Sequence, residues 1–238
     1  MIGRAGRMSA EHRRADSPDS RALCGADVRT FIVENLHLKP ASGLPAILLY
    51  TAHPGSGLWR LRANDAEDPP PYWAYSWAGG TLIARHILEH PDIVRDRRVL
   101  DLGAGSGVVG IVARKCGASR VIAAEIDRSA TSAIGLNAEA NGVTVEVTST
   151  DVLASAPPDV DVILAGDVFY SAELAARVLP FLTACRKAGI DVLIGDPRRR
   201  SLPLAALRLI AEYAVPDFGD GSTGQAAIGG VFTLGADG

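Results

Sequence analysis

The stretch Val99-Leu-Asp-Leu-Gly-Ala-Gly-Ser-Gly107 restricts the fold of this chain more than any other. Val99, Leu100 and Leu102 form a short apolar run of the kind that parallel sheets cover on both faces. Asp101 interrupts that run with a carboxylate. Gly103, Gly105 and Gly107 remove side chains where the backbone must bend and where a ligand could approach closely. The helix expected next aims its first N–H groups into the crevice beyond the strand.

From Arg98 onward, strands alternate with helices, the pattern of an α/β protein with a parallel sheet. Strands are expected at 99–103, 121–125, 143–148, 160–165 and 191–194, and a last one at 227–234. Helices are expected up to Cys116, at 129–141 and up to Lys187, and again at 202–212, with a strand starting at 213–215. Strict alternation in 143–148 leaves one face wet, which places that strand at the sheet edge.

Upstream, 27–38 carries Val28, Phe31, Ile32 and Leu36 at helical spacing behind Asp27 as a cap. A strand is expected at 46–51, a turn at Gly55-Ser-Gly57, a return strand at 58–61 and a polar linker at 64–71. Residues 1–26 lack periodic apolar positions and read as disordered. Their arginines are mixed with Glu11, Asp16 and Asp19, against a mitochondrial presequence, and Met8 is an alternative start. The organisation expected is therefore a segment at 1–26, a small helix/strand appendage at 27–71 and a main domain at 72–238.

Tyr72-Trp-Ala-Tyr-Ser-Trp-Ala-Gly-Gly80 is dense in rings for a chain with 5% aromatic residues. Two readings stand side by side: packing between appendage and sheet, or Trp77 with the Gly79-Gly80 backbone walling one side of a crevice. A helix is expected from 81 to 89.

Composition excludes several classes. A net charge of −3 argues against a broad basic face for nucleic acid, and no run is long enough to span a membrane. Cys24, Cys116 and Cys185 are widely spaced and odd in number, which points to a reducing compartment. His86 and His90 are four apart but lack a third ligand nearby, so they read as a solvated helix end and no metal site is expected.

Two cofactor classes compete for the glycine loop. From Gly105, Gly-Ser-Gly-Val-Val-Gly110 fits a dinucleotide fingerprint, with Glu125 as the ribose-binding acid. From Asp101, a carboxylate precedes the first glycine and would repel a pyrophosphate. It suits S-adenosylmethionine, which carries a sulfonium and an amino group instead. On that reading Asp101 holds the methionine end, Glu125 takes both ribose hydroxyls and Asp151 accepts from the adenine amino group. Singly, each acid could equally brace a turn or cap a helix. Together they stand at the ends of three successive strands, where such sheets bind ligands.

The motif Asp101-Leu-Gly-Ala-Gly-Ser-Gly107, with Glu125 and Asp151, resembles the seven-stranded S-adenosylmethionine-dependent methyltransferases. With Trp77-Ala-Gly-Gly80, Asp167-Val-Phe-Tyr170 and Gly195-Asp-Pro197 the likeness narrows to protein-lysine methyltransferases of the electron transfer flavoprotein β subunit, over about 28–234. The resemblance implies a Rossmann-like sheet in order 3-2-1-4-5-7-6 with strand seven antiparallel. It also implies S-adenosylmethionine as donor, S-adenosylhomocysteine as product, and cofactor contacts from Trp77, Gly80, Asp101, Gly103, Ala104, Gly105, Gly107, Glu125 and Asp151. Arg198 stands where the family has a glycine after Gly-Asp-Pro.

Asp167 and Tyr170 follow the central strand and face the place where the donor methyl should lie. Asp167, with nearby backbone carbonyls, is expected to orient the incoming amine, and Tyr170 to wall or hydrogen-bond it. The tetrapeptide lacks the paired prolines of enzymes that methylate nucleic-acid bases. Arg198, Arg199 and Arg200 read as a solvated run or as a docking patch for an acidic partner. A protein substrate, with no nucleic acid and no membrane, and a cytoplasmic setting complete the expectation.

Overall fold

The structure, a computed structural model, describes residues 25–61, 70–216 and 226–235. Of the expected N-terminal segment only Gly25 and Ala26 are described, and they open the first helix; Met8 and residues 62–69, with most of the expected linker, lie outside the described residues. Helix α1 (Gly25–Asn35) buries Val28, Phe31 and Ile32. It stops short of the expected end at 38, where the Asn35 amide donates to the Phe31 carbonyl at 2.9 Å. The chain then enters β1 (His37–Ala41), which pairs antiparallel with β2 (Leu44–Thr51) across a turn with Gly43 at φ 72°. Because β1 already takes one edge of β2, no return strand forms at 58–61. Leu58–Leu61 is instead a 3-10 turn that buries Leu58.

A second 3-10 turn, Tyr72–Ala74, leads to α2 (Ala78–Glu89). This helix begins before the expected start at 81, with Gly79 and Gly80 inside its first turn. Glycine reads as a loop because it is a poor helix former; here close packing requires it, as described below. Strands and helices then alternate: β3 (Arg98–Leu102), α3 (Val108–Lys115), β4 (Arg120–Ala124), α4 (Arg128–Ala140), β5 (Glu146–Thr148), β6 (Val162–Gly166), α5 (Ala172–Lys187) and β7 (Asp191–Asp196). The expected helix at 202–212 is a correction. Only Leu204–Ala206 turns, and the chain continues as β8 (Leu207–Pro216), paired along its length with β9 (Ala226–Leu234). The leucines and alanines of 202–212 favour a helix by only about 0.5 kcal/mol each, and long-range pairing outweighs that.

The main sheet has seven strands in the order β5-β4-β3-β6-β7-β9-β8. Counted from β3, this is the expected 3-2-1-4-5-7-6 order, with β9 running against the others and β5 at the edge. Alternation along β3 sends Val99 to the α2–α3 layer and Leu100 and Leu102 to the α5 layer. Asp101 therefore points towards α3.

The β1–β2 hairpin joins the core: Leu44, Ile47 and Leu49 pack with α2 and α3, while α1 packs on Ala130, Ala133 and Leu136 of α4. Two asparagines one helical turn apart on α4 meet the free edge of β2. Asn141 exchanges bonds with the Leu48 N–H and carbonyl at 3.0 and 2.7 Å. Asn137 accepts from the Tyr50 N–H and donates to the Ser106 carbonyl, each at 2.8 Å, tying the hairpin to the glycine loop. His86 is not solvated as expected. It is buried, its Nδ1 lies 2.9 Å from the Tyr213 hydroxyl, and burial lowers its pKa. Among the described residues no helix is long and apolar enough to cross a membrane, and no group of three or more His, Cys, Asp or Glu is placed to hold a metal.

Candidate active site

The glycine loop leaves the C-terminal end of β3 and is fixed to β4. The Gly103 and Ala104 N–H groups both donate to the Ala124 carbonyl, at 3.0 and 3.1 Å. Ala104 is buried against Ala123 and Ile134. Gly103, Gly105 and Gly107 have φ of 65°, 53° and 78°, the left-handed region that L side chains rarely adopt. At Gly105 a Cβ would meet nothing closer than 3.9 Å, so backbone conformation, not space, requires glycine there.

Gly107 caps α3 but has no side chain to accept from the helix's first N–H groups. Asp101 takes that role from the neighbouring strand: its Oδ2 accepts from the Gly110 N–H at 2.8 Å. The carboxyl is 1% exposed, and burial pushes its pKa up to about 7, against the Gly110 bond. Asp101 thus lies under the loop and braces it.

Glu125, at the end of β4, accepts from the Gly105 N–H with Oε2 at 2.8 Å and from the Asp127 N–H with Oε1 at 3.0 Å. Each oxygen retains capacity for a second donor. Burial raises its pKa despite these bonds. Asp127 caps α4 through the Ser129 and Ala130 N–H groups. Asp151, after β5, caps the Val152–Ala154 turn through the Leu153 N–H and pairs with Arg177 of α5, which holds its pKa low.

The opposite wall is α2. Trp77 at its N-cap offers no side-chain cap. Asp167, from the loop after β6, supplies one: Oδ2 accepts from the Gly80 N–H at 2.8 Å, and the carboxylate also accepts from Gly79. Asp167 sits at φ 59°, and burial raises its pKa while Arg199 opposes the rise. The helix reaches this position only because backbone meets backbone. A Cβ on Gly79 would lie 2.2 Å from the Gly195 carbonyl oxygen, one on Gly195 would lie 2.2 Å from the Gly79 oxygen, and one on Gly166 would lie 2.8 Å from the Gly80 nitrogen.

Arg199 pairs with Asp167 Oδ1, and the same Nη1 lies 3.4 Å from Asp196 Oδ2. Asp196, 0% exposed, accepts from the Arg199 N–H at 2.7 Å. Of the three arginines read as a solvated run, Arg199 therefore turns inward. Arg198, at φ 71°, pairs with Glu212 and lies over the Phe232 ring at 5.7 Å.

Rings line the mouth. The Tyr72 and Trp77 rings meet edge-on at 5.6 Å, and Trp77 Nε1 donates to the Tyr72 carbonyl at 2.7 Å. Tyr170, 62% exposed, stands 6.4 Å from Tyr72, and Glu125 is near enough to help raise its pKa. Tyr72 was visible in the sequence only as one of a cluster. Asp196 was visible in the sequence only as part of the Gly195-Asp-Pro197 motif, and Arg199 only as one of three consecutive arginines after it.

The structure thus gathers Glu125, the glycine loop, Trp77, Tyr170, Gly80 and Asp167 at one end of the sheet. This set fits an S-adenosyl donor. Glu125 can accept ribose hydroxyls, as it could from a dinucleotide, and the discriminating group is the Asp101 carboxyl under the glycine loop, a poor neighbour for a pyrophosphate.

The family model for ribosomal protein L11 methyltransferase (PrmA) matches residues 81–175. The electron transfer flavoprotein beta subunit lysine methyltransferase of Rattus norvegicus is 34% identical over 197 residues, 80% of this chain and 77% of the relative. That of Danio rerio is 36% identical over 198 residues, again 80% and 77%. A solved ribosomal protein L11 methylase from Lactobacillus delbrueckii subsp. bulgaricus is 20% identical, covers 64% of this chain and 76% of that one, and has a TM-score of 0.43.

Proposed function

The chain belongs to the family of electron transfer flavoprotein β-subunit lysine methyltransferases, and from that premise we propose that its substrate is a lysine of that β subunit. It is an S-adenosylmethionine-dependent protein-lysine methyltransferase. The likeness to relatives named for this substrate carries the reading. The place of Asp167 beside the start of α2, across the crevice from the glycine loop, adds support, because a fixed carboxylate there can orient an incoming amine.

The donor, when bound, supplies an electrophilic methyl group on a sulfonium. In our reading the 103–107 loop and Glu125 hold it. The second acceptor site on each Glu125 oxygen takes a ribose hydroxyl. Asp101 contributes by bracing the loop from beneath, since it is 1% exposed and its Oδ2 accepts from Gly110. Gly80 likewise acts through the helix start, and Trp77 with Tyr72 walls the crevice. We assign Asp167 and Tyr170 to the amine: Asp167 orients it and Tyr170 screens it from water. Asp151, whose oxygens each accept one bond, from Leu153 and Arg177, takes the adenine amino group through a remaining acceptor site.

Mass spectrometry of purified electron transfer flavoprotein, after incubation with enzyme and isotope-labelled donor, tests the proposal. Methylated lysine confined to the β subunit is the expected result. Labelling of other proteins in a lysate with none on the flavoprotein would replace the substrate and leave the enzyme class intact.

A further inference from the structure

The substrate side of the site contains an arrangement that the reaction class does not by itself require. A lysine must lose its proton before its nitrogen can attack, and its ordinary pKa near 10.4 leaves few neutral side chains at pH 7. A bare carboxylate beside the amine would make matters worse, because it stabilises the ammonium form. Asp167 is not bare. One oxygen caps α2 at Gly80 and the other is paired with Arg199, whose side chain is only 20% exposed. Arg199 is itself fixed twice by Asp196, through its backbone N–H at 2.7 Å and through its guanidinium at 3.4 Å.

We infer that Arg199 is a positioning residue that neutralises Asp167, so that the carboxylate orients the target amine without holding it as an ammonium. The inference deepens the assignment of Asp167 to the amine and rests on it. Among the described residues, the charged groups facing Asp167 are Arg199 and Asp196 from the end of β7 and the positive N-terminus of α2; Tyr170 follows on its own loop. Arg199 is thus the one cationic side chain in this set. A cation close to a lysine favours its neutral form, as a second cationic group does in other lysine-activating sites.

The test is a pH–rate profile at saturating donor for wild type, Arg199→Met and Arg199→Lys. The wild-type rate should rise with pH as the bound amine loses its proton. Arg199→Met should move that rise upward by about one pH unit or more, the scale of shift a nearby charge produces. Its deficit is then greatest near neutrality and is largely recovered in alkali, with affinity for S-adenosylhomocysteine unchanged. Arg199→Lys should keep the wild-type midpoint. A rate lowered by one factor at every pH overturns the inference, because a packing defect has no reason to track the amine's proton.

A substrate-free measurement separates this inference from the choice of substrate. Without the guanidinium, ionisation of Asp167 and Asp196 becomes costlier, so the melting temperature of Arg199→Met should fall further below wild type as pH rises from about 5 to about 8. A constant difference counts against the charge role, even if the flavoprotein proves not to be the substrate. Should Arg199→Met not fold, Arg199→Gln removes the same charge while keeping an N–H donor for Asp167, and is read in the same way.

Discussion

At Asp101 and Arg198 the surroundings set what the side chain does. Asp101 precedes the glycines that line the crevice, and its Oδ2 accepts from Gly110 beneath them, with a pKa pushed up to about 7 by burial. Its folded pKa lies above the unfolded value of 3.8, so the folded state binds this proton more tightly. Its contribution to stability is therefore full in acid, falls between about pH 4 and 7, and is level above. Asp101→Asn keeps an acceptor for Gly110 and cannot ionise. The unfolding free energy of wild type, measured against this variant by denaturant titration, should decline across that window and then plateau. Arg198 is held at φ 71°, a conformation that costs a non-glycine residue about 1 kcal/mol or more. Its ion pair with Glu212 is half-exposed and worth less than about 1 kcal/mol. Arg198→Gly should thus leave the midpoint of unfolding unchanged or raise it slightly. A Ser substitution, which keeps the strain and loses the pair, should lower it.

At the scale of elements, the junction of α2 with β6 and β7 is the least forgiving part of the fold. Gly79→Ala would drive a methyl group to 2.2 Å from a backbone oxygen and should cost about 3 kcal/mol or more, with loss of donor binding as the helix start is displaced. Gly135, in the middle of α4, gives the contrast. A methyl there meets only the tip of the Arg29 side chain at 3.1 Å, so Gly135→Ala should stabilise by up to about 1 kcal/mol. Thermal melts of the two variants check both signs. The same contrast explains what the sequence could reveal. The strand–loop–helix unit at β3, the alternation that follows it and the edge position of β5 are local patterns, and they were legible. The start of α2 was not, because Gly79 and Gly80 are poor helix formers whose N–H groups are satisfied by Asp167, distant in sequence. Nor was the first part of β8, 207–212, whose residues favour a helix until β9 pairs with them; only its continuation at 213–215 was read as a strand. The inward turn of Arg199 depends on Asp196 and Asp167 together, and no spacing rule announces it.

At the scale of the whole molecule, the β1–β2 hairpin and α1 share the core and reach the glycine loop through Asn137. Donor binding and global stability should therefore be linked. S-adenosylhomocysteine at about a hundred times its Kd should stabilise the fold by about 2.7 kcal/mol, whereas NAD at the same concentration should leave the melting curve unmoved. A shift with NAD alone would return the glycine loop to the dinucleotide class. The contact among Gly79, Gly166 and Gly195 has a further, mechanical consequence. A hinge needs slack, and backbone atoms already touching have none. The start of α2 must travel with the sheet as one rigid piece. Trp77, whose carbonyl accepts from the Thr81 N–H, is carried with that piece, and Trp73 and Ala74 just before it are buried against α1 and α4, so this wall of the crevice keeps its shape while a bulky protein docks.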